Sequence, residues 1–195
     1  MTRTARLDRS TKETTVDITL NLDGSGSASI DTGVGFFDHL LTSFATHGLF
    51  DLEVKTVGDL HIDDHHTVED TALVLGSALA EALGDRAGIT RFGDARVPMD
   101  EALAEAVVDV SGRPYAVIDL EFKSPALGNL STQNIPHALE AFTRTAGITL
   151  HLRSRGANDH HVAEAAIKAL ARALRAAVEI DPRRGGAIPS SKGTL

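Results

Sequence analysis

Apolar and polar positions largely alternate over residues 3–8, 14–22 and 27–31, with the turn residues Asp23-Gly24-Ser25-Gly26 between the last two stretches. A period of two belongs to half-buried strands, so the chain opens as a strand meander. The period then changes. Residues 35–46 have helical spacing, residues 49–57 return to a strand pattern, and residues 65–83 form a long Ala/Leu-rich helix that stops at Gly84. The same order comes round again. Residues 102–110 and 115–122 read as a hairpin around Ser111-Gly112-Arg113-Pro114, residues 135–145 as a helix, 148–153 as a strand and 160–179 as another long Ala-rich helix. The order strand, strand, helix, strand, helix is thus common to both halves. The pattern predicts an α/β protein, an α+β sandwich built by internal duplication, in which each half is a small mixed β-sheet with two helices packed on one face. The expected organisation is a single domain of two pseudo-repeats, 1–84 and 99–195, joined by a linker at 85–98.

Composition narrows the class. A chain of 195 residues with 42% hydrophobic content can bury a substantial core. It has no apolar run of about 18 residues, and its first residues lack the apolar stretch of a signal peptide. Neither export nor membrane insertion is expected, which points to the cytoplasm. The absence of cysteine fits a reducing compartment and removes thiolates as ligands or nucleophiles. A net charge of -8 argues against a nucleic-acid partner, which calls for a cationic surface, while leaving room for a local cationic pocket.

The chemistry lies in a motif that occurs twice, His65-His66-Thr67-Val68-Glu69 and His160-His161-Val162-Ala163-Glu164, each preceded by an aspartate, Asp64 and Asp159. On a helix the first His and the Glu are four apart and the second His and the Glu three apart, so all three side chains are expected on one face. Two imidazoles and a carboxylate make a metal-ligand set. Its recurrence suggests one half-site in each copy and two ions in all. Aligning the halves adds a third imidazole to each, His39 and His137, both two residues before an L-x-x-F pair. The candidate set is therefore His39, His65, His66, Glu69, His137, His160, His161 and Glu164. Such nitrogen-rich sites suit Mn, Fe, Zn or Ni, and the spacing does not choose among them. His47, His61 and His151 have no repeat partner and read as structural. Asp63, Asp64 and Asp159 read as helix N-caps.

A second cluster is cationic. The tail from Asp181 to Leu195 combines Arg183, Arg184, Ser190, Ser191 and Lys192 with Gly and Pro that forbid a helix. It reads either as a wrap for a phosphate or as an unstructured terminus. Arg91 and Arg113 are further anion clamps or plain surface arginines. There is no P-loop, G-x-S-x-G or G-x-G-x-x-G pattern, so nucleotide-dependent and serine-nucleophile chemistry lack support.

The chain resembles the imidazoleglycerol-phosphate dehydratase family of histidine biosynthesis. The resemblance rests on Gly33-Val34-Gly35-Phe36-Phe37-Asp38-His39-Leu40-Leu41, His47-Gly48-Leu49-Phe50-Asp51, the run from Gly58 to Asp70, Ser111-Gly112-Arg113-Pro114-Tyr115, and Asp181 through Leu195. It spans nearly the whole chain, and no length is left for the phosphatase domain fused to some members. It implies a single-activity hydro-lyase with two Mn²⁺ per active site, held by the eight residues above. It also implies phosphate contacts at Arg91, Arg113, Ser191 and Lys192, and further substrate contacts at Glu13 and Lys168. Family members assemble as 24 subunits with metal sites between protomers, so a homo-oligomer is expected. One departure is Ser43, where relatives often carry glutamine, which puts one substrate contact in doubt.

Dehydration of a glycerol side chain usually exploits a proton made acidic by a carbonyl, and the implied substrate has none. Its imidazole must serve instead. Metals on the ring nitrogens would favour imidazolate, whose electrons expel the hydroxyl, and loss of a side-chain proton would give an enol that tautomerises to imidazoleacetol phosphate. Glu164 is the preferred general base and Glu69 the alternative, because the repeat makes them nearly equivalent. Two other readings remain. A dinuclear phosphoesterase would release inorganic phosphate, and a metal-buffering or assembly protein would need no phosphate clamp.

Overall fold

The computed structural model describes residues 3–195; residues 1 and 2 of the half expected at 1–84 lie outside the described residues. The first half comprises β1 (Thr4–Ser10), β2 (Thr14–Asn21), β3 (Ala28–Asp31), α1 (Gly35–Gly48), β4 (Asp51–Gly58) and α2 (His65–Leu83). The second comprises β5 (Phe92–Met99), β6 (Ala102–Asp109), β7 (Tyr115–Leu120), the short strands β8 (Ala126–Leu127) and β9 (Leu130–Ser131), α3 (Asn134–Ala146), β10 (Thr149–Arg155) and α4 (Asp159–Val178). The two large sheets have matching orders, β1-β2-β4-β3 and β5-β6-β10-β7. Each is mixed, because β3 runs parallel to β4 and β7 parallel to β10 while the other pairs are antiparallel.

Two sequence expectations need correction here. The stretch 85–98 is not simply a linker, since β5 pairs along its whole length with β6 as the counterpart of β1. Its inward positions include Gly93 and Ala95, too small to give an apolar signal. Residues 102–110 and 115–122 do not form a hairpin either. β7 crosses to the far side of β10, as β3 does beside β4. Period two fixes which face of a strand is buried and says nothing about which strand lies alongside. Each half consequently runs three strands, a helix, a strand and a helix.

The burial pattern explains the layers. β2 and β6 alternate inward and outward residues along their length, so each sheet buries one face. α2 covers β1 and β2 while α1 covers β3; α4 covers β5 and β6 while α3 covers β7. The helices then pack across the halves, α2 on α3 and α1 on α4, giving a sheet, two helix layers and a second sheet. Phe44 meets Phe50 from its own half and Phe142 from the other, with ring centroids 5.4 and 6.0 Å apart. α4 is squeezed from two sides, which its seven fully buried alanines allow: Ala163, Ala165, Ala166, Ala169, Ala171, Ala173 and Ala177 each have 0% exposure.

The closest approach is at Gly93, where a Cβ would stand 2.8 Å from the backbone nitrogen of Ala177 and against the carbonyl of Ala173. Gly93→Ala is therefore expected to destabilise the fold by about 1–3 kcal/mol, the usual range for overpacking against backbone. A urea-unfolding midpoint equal to wild type would show that α4 can shift away from β5.

A candidate metal centre and a separated anion clamp

All four helices begin at the same end of the molecule, and this end collects the histidines. The consequence differs from a half-site in each copy. His39 on α1 joins His160 and Glu164 on α4, and His65 and Glu69 on α2 join His137 on α3. Both groups are thus assembled across the halves, because α1 packs on α4 and α2 on α3. In each, the ligand atoms lie within 4.8 Å of one another. His39 Nε2 and His160 Nε2 each stand 3.0 Å from Glu164 Oε2. His65 Nε2 is 3.5 Å from Glu69 Oε2, and His137 Nε2 is 3.4 Å from Glu69 Oε1. His137 Nε2 is buried without a hydrogen-bond partner among the described residues, an orphaned imidazole nitrogen facing a carboxylate. That donor chemistry fits a divalent cation in each group.

His66 and His161 fall in neither group. The expectation that both histidines of a pentad share a face with the glutamate fails because successive helical residues point about 100° apart. The rings of His65 and His66 lie nearly perpendicular, at 83°, and those of His160 and His161 at 86°. Each outlying ring is fixed by a carboxylate on Nδ1: His66 by Asp59 at 3.1 Å and His161 by Glu101 at 2.8 Å. These hydrogen bonds raise the pKa of both imidazoles above the ordinary value despite some desolvation. Glu101 is lowered to about 2, chiefly by the bond from His161. Orientation of one ring nitrogen by a carboxylate, with the other directed away, is the usual arrangement of a metal-ligating histidine.

Glu164 is 8% exposed. Burial alone would raise its pKa, but Lys168 Nζ at 2.7 Å and His39 outweigh this and hold the carboxyl at about 2. Lys168 thus lies beside the first group, and Glu13, on the β1–β2 turn, stands 3.8 Å from His66 Nε2. Ser43 is buried one turn beyond His39, its hydroxyl unpartnered among the described residues.

The cationic candidates collect at the opposite end. Arg91 donates from Nε and Nη2 to Asp109, at 2.7 and 3.1 Å, and from Nη1 to the carbonyl of Pro189 at 2.7 Å. Arg113 reaches the same Asp109 at 3.4 Å. The tail is docked instead of loose: Gly88 N–H donates to Ala187 O, and a single 3₁₀ turn forms at Pro182–Arg184. Ser191 and Lys192 are exposed just beyond. Arg91 N–H donates to Ala177 O near the end of α4, while His160 and Glu164 lie 17 and 13 residues earlier on that helix, which places roughly 20–25 Å between the clamp and the first group.

A family model described as imidazoleglycerol-phosphate dehydratase matches residues 32–174. The chain belongs to the imidazoleglycerol-phosphate dehydratase family. An imidazoleglycerol-phosphate dehydratase from Acidiphilium cryptum is 57% identical over 196 residues, covering all of both chains. One from Methanosarcina barkeri is 54% identical, over 99% of this chain and 100% of its own. Among solved structures, the imidazoleglycerol-phosphate dehydratase of Staphylococcus aureus superposes with a TM-score of 0.83 at 35% identity, covering 91% of this chain and 99% of that one. The dehydratase of Pyrococcus furiosus, solved in complex with (S)-C348, gives 0.83 at 34% identity, with 97% and 100% covered. The chain is therefore an enzyme of the dehydratase class, a hydro-lyase, and its duplicated sandwich is the fold of those structures. No helix among the described residues is long and apolar enough to cross a membrane.

Several side chains around these groups were not singled out from the sequence. Asp59 and Glu101 orient the outlying histidines, Asn134 Oδ1 stands 3.2 Å from His65 Nδ1, and Phe36 packs edge-on to His160 with centroids 4.9 Å apart. Asp59 lies seven residues from its partner and offered a weak signal; Glu101 is 60 residues away and offered none.

Proposed function

We propose that this chain dehydrates D-erythro-imidazoleglycerol phosphate to imidazoleacetol phosphate in L-histidine biosynthesis, in the cytoplasm, with two Mn²⁺ per active site. The observation that carries it is the pair of His/His/Glu groups joined to a full-length match with enzymes bearing that name. One group would be held by His39, His160 and Glu164, the other by His65, Glu69 and His137. Bound there, the cations would supply Lewis acidity that favours the anionic form of the substrate's imidazole. The protein's own part is to position and to move protons. Glu164 serves as the general base for the side-chain proton, Lys168 keeps that carboxylate ionised and oriented, and Glu13 contacts the substrate near His66. Arg91, Arg113, Ser191 and Lys192 bind the phosphate.

The active site is completed between subunits. The clamp lies a protomer's length from its own metal groups, too far for one small substrate to touch both. His66 and His161 lie outside both groups, with Nε2 3.8 Å from Glu13 and 3.9 Å from Asp100, as ligands offered to a neighbour would. A homo-oligomer, 24 subunits by family precedent, meets both conditions. The outer face of the second sheet supports this, since Leu103, Val107, Tyr115 and Val117 are 41–65% exposed there. Large apolar side chains exposed on a sheet face that no helix covers favour a protein contact.

Chelator-stripped protein is expected to form the ketone product only after Mn²⁺ is returned, with no release of inorganic phosphate. Turnover without metal would remove the metal from the mechanism, and phosphate release would replace the dehydratase reading with a phosphoesterase.

A further inference from the structure

The largest departure from the duplication lies before the third helix. Between β3 and α1 the chain needs only residues 32–34, whereas between β7 and α3 it inserts residues 121–133 with the β8–β9 pair. This insert lies across the metal end and is held by two of the three aspartates read from sequence as caps, Asp64 and Asp159. That reading needs correction. The main-chain N–H of His65 donates to Asp63 and that of His160 to Asn158, so the capping is done by their neighbours. Asp64 instead accepts from Ser131, at 2.8 Å from its N–H and 2.7 Å from its hydroxyl. Asp159 accepts from the N–H groups of Lys123 and Ser124, at 2.9 and 2.7 Å. Both aspartates are buried, at 8% and 7% exposure. In both, burial works against the charged form and the insert's donors outweigh it, leaving each pKa below the usual value.

The two anchors are equivalent under the pseudo-repeat, and each immediately precedes a histidine pair. Between them the insert is internally tied, Thr132 donating from N–H to Pro125 O and from Oγ1 to Ser124 O. Asn129 Nδ2 donates to Gly33 O at the start of α1, Leu130 is fully buried, and Asn134 faces His65. One short segment therefore touches the starts of all four helices that carry the candidate ligands.

We propose that Asp64 and Asp159 are positioning residues for the metal centre, tying the insert 121–133 as a strap that couples the two His/His/Glu groups, so that loss of either anchor loosens both. Neither histidine pair can shift without dragging a segment the other also holds. This rests on the metal-centre reading above. The test is a Mn²⁺ titration of the full-length, chelator-stripped protein, following free Mn²⁺ by its electron paramagnetic resonance signal.

Wild type is expected to take up two ions per chain. Asp159→Ala, which touches only the His160 side, is expected to weaken both ions by about 10-fold or more, the usual scale for losing a residue that orients ligands. Asp159→Asn should stay near wild type, because a single oxygen accepts both N–H bonds and the other, Oδ1, has no partner among the described residues. A two-glycine insertion after Gly128 leaves both aspartates in place and should loosen both ions if the strap carries the coupling, which keeps the test valid should the alanine variant fold poorly. Loss of one ion with the other unchanged, in the alanine or the insertion variant, overturns the coupling while leaving the metal centre intact. A wild type that binds no Mn²⁺ overturns the metal centre and the strap with it.

Discussion

Glu164→Gln is expected to lower turnover of imidazoleglycerol phosphate by about 10²–10⁴-fold, the range a positioned acid or base contributes. The substitution keeps size and one oxygen donor, so metal content should hold while the proton acceptor disappears. Glu164 is favoured over Glu69 by its surroundings. It is the more buried of the two, and it alone has a lysine one turn away, with Lys168 Nζ at 2.7 Å. A carboxyl held at about 2 is ionised at neutral pH but is a weak base while its donors hold it. The donors that depress it are Lys168, His39 and His160, and the two imidazoles are themselves candidate ligands, so engaging them elsewhere frees the carboxylate to take a proton. Turnover reduced less than about tenfold with both metals retained would remove Glu164 as the base. A large loss in Glu69→Gln alone would transfer the role.

Two inactive variants are expected to restore each other. Arg113→Ala/Lys192→Ala removes two exposed charged donors and should cost about 10²-fold or more in kcat/KM, at roughly 1.5–3 kcal/mol for each charge-assisted bond lost. His160→Ala disables the first metal group. If a site takes its clamp from one protomer and its metals from another, subunits exchanged at equal ratio should recover up to about a quarter of wild-type activity, the fraction of sites that draw both intact parts by chance. Recovery requires exchange, so the mixture should be dissociated and reassembled, with unexchanged mixtures as the control. An exchanged mixture as inactive as its components would place clamp and metals within one protomer, against the separation along α4.

The elements and their duplication were legible because both halves repeat one hydrophobic rhythm, and the six residues of the two His/His/Glu groups because histidine and glutamate recur at fixed offsets. Partnership was not. Nothing in the spacing of His65, His66 and Glu69 says that His137 replaces His66 in the group, since that depends on α2 packing against α3. β5 escaped notice because Gly93 and Ala95 are kept small by α4. The roles of Asp64 and Asp159 were misread because an aspartate at a helix start ordinarily caps it, and only the fold shows the insert lying within reach. Long-range pairing is decided by packing, which a linear pattern carries only in part.

The helix layers impose an order of events during synthesis. α1 and α2 bury their inner faces on α4 and α3, which are made last, so the first half leaves the ribosome with that apolar surface bare. At about 5–20 residues per second, the remaining hundred or so take roughly 5–20 s to emerge. Through that interval the nascent first half is a natural client for chaperones, and slow codons in the second half would lengthen its exposure. Genetic fission at residues 85–91 should yield two fragments that are insoluble apart and soluble when made together.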